Sequence, residues 1–129
     1  MESKNKRSRK ENVLMGVQFS HCKANWMFNS YMVFRQALAS EAGIRLFDME
    51  GFSFGPGESW DTVDDDIVPL LVHSDHSGEF SVEECKTISP RLIELIDGWG
   101  ENNRNKVQAL ILAEGMELAV KCNEPLRFV

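Results

Sequence analysis

Residues 104–122 constrain the fold most, because their apolar side chains lie on more than one side of a helix. These side chains are Val107, Leu110, Ile111, Leu112, Met116 and Val120. A helix of this kind has to be covered by other parts of the chain and is usually central. Gly115 lies inside it, at a cost of about 1 kcal/mol relative to alanine. The sequence therefore predicts a central helix that a neighbouring helix approaches closely at Gly115.

Capping signals bound a second helix at residues 30–42. Its apolar positions recur at helical spacing, and Asn29 or Ser30 is the expected N-cap. Gly43 supplies a residue that adopts the left-handed conformation, and Ile44 is placed to pack back on the helix. This order predicts a Schellman motif at the helix end.

Two further helix starts follow residue 80. Ser81 and Glu84 have the spacing of a capping box, which predicts a helix over residues 81–87. A new start is expected at Ser89-Pro90, because serine is favoured at the cap and proline at the first helical position.

A glycine-rich loop occupies residues 51–59. It has no lysine at the position that a phosphate-binding loop requires, so a phosphate site is disfavoured. We expect the loop to hold Phe52, Phe54 and Trp60 against the core, with a short helix after it.

Both ends of the predicted domain have strand character. Residues 13–20 alternate apolar and other side chains at period two, and residues 125–129 are a candidate partner strand. The predicted fold is therefore α+β and predominantly helical. It is a single compact domain, residues 13–129, of about four helices with a small β element from its N- and C-terminal ends.

Charge is unevenly distributed along the chain, whose net charge is −6. Residues 1–12 hold five basic and two acidic side chains and are expected to form a disordered basic tail, while the remainder has nine basic and eighteen acidic side chains. The acidic body disfavours nucleic acid as a partner.

The longest apolar run, residues 109–113, is too short for a membrane span. The three cysteines form no CxxC pair, which predicts a reducing, cytoplasmic location.

The segment from His73 to Glu84 resembles the twelve-residue calcium loop of the EF-hand family. Asp75 and Ser77 fall at positions three and five, and Gly78 falls at the turn glycine of position six. Glu84 at position twelve would close the ligand shell with two carboxylate oxygens. The resemblance implies a Ca²⁺ site, with Mg²⁺ or Zn²⁺ less favoured. Its ligands would be His73, Asp75, Ser77, Glu79 through its carbonyl, and Glu84.

The same loop fits a second interpretation, an ion-free turn that buries Phe80 and caps the next helix. His73 stands where the EF-hand family has aspartate, and Asp75 and Glu84 are the two charged ligands. A calcium site of this composition is expected to be weak, with a Kd of about 10⁻⁴–10⁻³ M.

Zinc gives a third interpretation. His73 and His76 are three residues apart, and His21, Cys22 and Cys85 are further candidate ligands. A zinc-dependent hydrolase would require His21, His73 and His76 to meet in space. The spacing in a glycine turn does not place both histidines on one helix face, so this alternative is the weaker one.

Three segments, Phe19 to Trp26, Leu71 to Glu79 and Leu112 to Glu117, also resemble small proteins of bacteria and their phages that have no assigned activity. This phage-like resemblance implies a protein that blocks a host protein or imitates nucleic-acid charge. The sequence has no serine-hydrolase elbow and no dinucleotide fingerprint. We therefore expect a non-enzymatic, acidic binding or regulatory protein whose partner is another protein.

Overall fold

The computed structural model of the chain describes residues 16–129. The predicted basic tail, residues 1–12, and the start of the predicted N-terminal strand lie outside the described residues. Within residues 16–129 there are four α-helices: α1 (Phe28–Glu41), α2 (Val68–Val72), α3 (Val82–Ile96) and α4 (Arg104–Cys122). There are also four short strands: β1 (Gly16–Gln18), β2 (Asn25–Met27), β3 (Glu79–Phe80) and β4 (Leu126–Arg127). The fold is α+β and predominantly helical, as predicted.

The strands form two antiparallel pairs rather than one element joining the two chain ends. β1 pairs with β2, and β3 pairs with β4. The expected contact between the ends is present as a single antiparallel bridge between Phe19 and Phe128. The Ser20 N–H donates to the carbonyl of Arg127 at 2.8 Å, beside this bridge. The strand at each end therefore has a further pairing partner, β2 for β1 and β3 for β4. The alternation of apolar residues along one strand could not identify this partner.

Helix α4 has the predicted bounds but not the predicted surroundings. It packs along α3 and buries one face, while Val107, Leu110 and Leu118 on the other face are 38–44% exposed. The prediction that a neighbouring helix approaches Gly115 closely is also wrong, because a turn lies there instead. A Cβ placed on Gly115 would lie 2.6 Å from Sγ of Cys22, in the turn that joins β1 and β2.

The capping signals in the middle of the chain are confirmed. The Gly43 N–H donates to Ser40 and the Ile44 N–H to Ala39, which is the Schellman pattern, and Gly43 has φ +78°. Ser81 and Glu84 form the predicted capping box at the start of α3.

Two predicted helix starts are wrong. Helix α1 begins at Phe28 instead of Ser30, because β2 leads directly into it and holds Met27, the N-cap residue, in an extended conformation. Helix α3 continues through Pro90 without a restart. Its buried face runs on from Ile88 to Leu92, so packing against α4 maintains the helix although proline donates no hydrogen bond.

The core is one cluster of buried side chains with aromatic rings at one side. Trp26 stacks on Phe34 with a centroid distance of 4.5 Å, and its indole N–H donates to Asn105 on α4. Lys106 is also buried, and its ammonium donates to the carbonyls of Asp97 and Trp99, which ties the start of α4 to the end of α3. Among residues 16–129, no helix has the length and apolarity needed to cross a bilayer.

Candidate functional site

The candidate calcium ligands are mostly engaged in other contacts. Nδ1 of His73 lies 2.9 Å from the carbonyl oxygen of Ser74, and Nε2 lies 2.9 Å from that of Glu79. The His73 ring also stacks on Phe128 at 4.7 Å, with 8° between the planes. The Glu79 carbonyl, which the EF-hand resemblance assigns to the ion, therefore has a ring nitrogen as its neighbour.

Glu84 and Asp75 are directed to different neighbours. Oε1 of Glu84 accepts the backbone N–H of Ser81 at 2.9 Å, completing the capping box. Oδ1 of Asp75 lies 3.1 Å from Nδ1 of His76, and Ser77 is exposed. Gly78 has φ +94°, which accounts for the turn glycine without an ion. In the described part of the chain, no group of three or more His, Cys, Asp or Glu side chains is placed to hold a metal ion.

The candidate zinc ligands lie in separate surroundings. His21 bonds to Ser20 and to Glu124, with 2.8 Å between His21 Nε2 and Glu124 Oε1. Cys22 faces Gly115, and burial raises the pKa of its thiol. Burial also raises the pKa of Cys85 to about 11. The contacts do not support the zinc hypothesis.

A different site lies beside the 73–76 segment, centred on Arg35 of α1. Arg35 is 4% exposed, four residues after Tyr31 and three before Leu38, on the buried face of the helix. Arg35 is not among the site residues predicted from the sequence. The signal was a charged residue at a position where helical spacing predicts an apolar one, since arginine is almost never fully buried unless it is paired.

The Arg35 guanidinium is hydrogen-bonded to carbonyls at one side and lacks an oxygen partner at the other among the described residues. Nη1 donates to the carbonyls of Leu71 and His73, at 3.3 and 3.0 Å. The guanidinium carbon lies 4.9 Å from the centroid of the Tyr31 ring and 5.5 Å from that of Phe52, within cation–π distance. Its charge is therefore stabilised by carbonyl dipoles and aromatic faces.

The Nε and Nη2 edge of the same guanidinium has no oxygen at hydrogen-bond distance in residues 16–129. Nε is buried and has no hydrogen-bond partner among these residues. Nη2 lies 4.0 Å from Oδ2 of Asp75 and 4.0 Å from the sulfur of Met32. Buried polar groups normally find a partner, so this edge calls for an explanation.

Arg35 lines an open cleft of ≈ 710 Å³ between α1, the 50–60 segment and the 72–76 segment. Phe52 and Trp60 form one wall, edge to face, with 6.1 Å between ring centroids. The Trp60 indole donates to the carbonyl of Glu50, which fixes its orientation. Asp75 and His76 also line the cleft. The volume lies in the range of small-molecule sites, and the lining mixes aromatic rings with a few polar groups, as such sites do.

The loop that supplies Phe52 differs from its prediction at one residue. Phe52 and Trp60 are half-buried as expected, but Phe54 is fully exposed at the loop tip. Gly57 has φ +73°, and a Cβ there would lie 2.6 Å from the backbone of Met49, so the loop is closed at a point that only glycine fits. This closure projects Phe54 into solvent.

Comparison with family models, curated proteins and solved structures gave no match. A function therefore has to be inferred from the chemistry of the cleft itself.

Proposed function

We propose that this chain is a non-enzymatic binding protein and that its ligand enters the cleft beside Arg35. The observation that carries the proposal is the buried Nε of Arg35, which has no hydrogen-bond partner among residues 16–129, next to an open cleft with an aromatic wall. A ligand with hydrogen-bond acceptors would satisfy that edge and pack its apolar part against Phe52 and Trp60.

A protein segment is the partner that the surrounding surface favours. Phe54 is fully exposed on the same loop as Phe52, and exposed aromatic side chains are enriched at protein interfaces. We place this binding in the cytoplasm, which the three free cysteines support.

Ligand-observed and protein-observed NMR on the full ¹⁵N-labelled chain tests the site. A fragment library is screened, and the three tryptophan indole signals act as internal reporters. Fragments that bind should shift the Trp60 signal and the amides of residues 73–76, with little effect on the buried Trp26.

Matched variants complete this experiment. Phe52→Ala should weaken the binding of these fragments, whereas Phe47→Ala, at an exposed phenylalanine outside the cleft, should leave it unchanged. Hits that leave Trp60 unaffected, or a screen without hits, would contradict the proposed site.

A second candidate function is recognition of a basic partner by residues 58–66. This stretch has five carboxylates, and within the described part of the chain only Asp65 has an ion-pair partner. Exposed unpaired carboxylates attract basic partners, and the attraction weakens with salt. An oligolysine peptide should bind at low salt, less tightly to an Asp61→Asn/Asp64→Asn variant than to a Glu114→Gln/Glu117→Gln control. Equal binding by both variants would refute this candidate.

A further inference from the structure

We infer that the ligand of this cleft presents a carboxylate, which binds side-on to Nε and Nη2 of Arg35. This inference rests on the proposed function and adds the chemical class of the ligand. The Nε–H and one Nη2–H of a guanidinium are parallel and match the two oxygens of a carboxylate. In Arg35 this edge lacks an oxygen partner among the described residues, while Nη1 is fixed by two carbonyls. Nε is buried, so a carboxylate reaches it only when a neighbouring side chain moves aside.

Charge favours a carboxylate over a neutral acceptor. Arg35 is 4% exposed, and the nearest carboxylate oxygen is that of Asp75, at 4.0 Å. This separation is longer than a hydrogen bond, so Asp75 compensates the charge without satisfying the donors. A buried cation that lacks a directly bonded anion gains more from a carboxylate than from another carbonyl.

Asp75 is a built-in competitor for the same edge. Its side chain is 30% exposed, with Oδ1 3.1 Å from Nδ1 of His76 and Oδ2 4.0 Å from Nη2 of Arg35. A bound carboxylate would lie beside this like charge, which lowers affinity. Replacing Asp75 with asparagine should therefore tighten carboxylate binding, a result that a merely structural role for Asp75 does not produce.

The aromatic wall defines the rest of the ligand. Phe52 and Trp60 line the same cleft as Arg35, and the Phe52 ring centroid lies 5.5 Å from the guanidinium carbon. An acid with an aromatic or other apolar group next to its carboxylate would use both features. A free arylacetic acid and a peptide that ends in phenylalanine share this chemistry.

NMR titration of the full chain with paired probes tests the inference. The probes are phenylacetate and phenylacetamide, and acetyl-Gly-Phe with a free or an amidated C-terminus. Each acid should shift the Trp60 indole signal and bind about tenfold more tightly than its amide. Tighter binding of the peptide acid indicates a peptide terminus as the source of the carboxylate, and tighter binding of phenylacetate indicates a small free acid.

Three variants separate the possible results. Asp75→Asn should bind the acids about three- to tenfold more tightly, whereas Glu117→Gln, with the same change in net charge on the outer face of α4, should not. Arg35→Lys should lose about tenfold in affinity for the acids, because lysine cannot form the side-on pair. If the Arg35→Lys variant does not fold, the affinities of Asp75→Asn and Glu117→Gln for the acids test the inference by themselves.

Equal binding of acid and amide at Trp60, or equal effects of Asp75→Asn and Glu117→Gln, would overturn the carboxylate inference and leave the proposed cleft intact. If the acids and the fragment library all fail to shift Trp60, both the inference and the proposed function are wrong.

Discussion

Replacement of Gly115 by alanine tests the close packing of α4 against the turn that joins β1 and β2. The new Cβ would lie 2.6 Å from Sγ and 2.7 Å from Cβ of Cys22. Ordinary contacts of this kind are about 3.5–4.0 Å, so the turn that carries Cys22 has to move by about 1 Å. Overpacking of this kind costs about 1–3 kcal/mol. Alanine offsets about 1 kcal/mol of this through its higher helix propensity. We expect a net loss of up to about 2 kcal/mol.

The sign of the effect should reverse when Cys22 is removed. In a Cys22→Gly background both contact atoms are absent, so Gly115→Ala should stabilise the protein by about 1 kcal/mol. Urea unfolding of the four proteins in this cycle measures the difference directly. Gly98→Ala is the control, because a Cβ there meets nothing within 4 Å. If Gly115→Ala is equally destabilising in both backgrounds, the contact with Cys22 is not its cause.

Four further predictions follow from other contacts. Tyr31→Phe should leave stability unchanged or raise it by up to about 1 kcal/mol, because its buried hydroxyl has no partner among residues 16–129; a loss above this size in urea unfolding would contradict the reasoning. Lys106→Met should cost about 2–4 kcal/mol in the same assay, since its ammonium bonds two carbonyls at the end of α3; a loss well below 1 kcal/mol would refute this role. Hydrogen bonds from Arg91 lower the pKa of Asp65, so its stabilising contribution is present above the unfolded pKa of about 4 and is lost as pH falls through the lower folded value. Urea unfolding across pH should therefore show the largest difference in unfolding free energy between the parent and Asp65→Asn near neutral pH. This difference should become smaller as the pH falls. Calcium at concentrations well above about 10⁻³ M should leave Tm unchanged relative to EDTA, because the Glu84 carboxylate caps α3; a calcium-specific rise that Glu84→Gln abolishes would instead support the EF-hand-like site.

The candidate site contains some contacts that the sequence could predict and others that it could not. The 73–84 spacing identified a turn glycine and a capping glutamate, both of which the structure contains. It could not show that the Glu79 carbonyl has a ring nitrogen of His73 as its neighbour, because carbonyl orientation depends on how the turn packs on Phe128. The calcium site stays a prediction. The cleft beside Arg35 was not predicted from the sequence and is recognised only in the folded chain.

What the sequence determined by itself is the set of features that depend on neighbours a few residues away. The Schellman end of α1, the capping box of α3 and the bounds of α4 involve backbone groups within one or two turns, so residue type alone specified them. Only the tertiary structure decided the features that join distant segments. The partners of β1 and β4, the contact of Cys22 with Gly115 and the open edge of Arg35 depend on which surfaces meet in the core. Many segments of this chain offer similar apolar surfaces, so the choice among them follows from packing the whole chain at once.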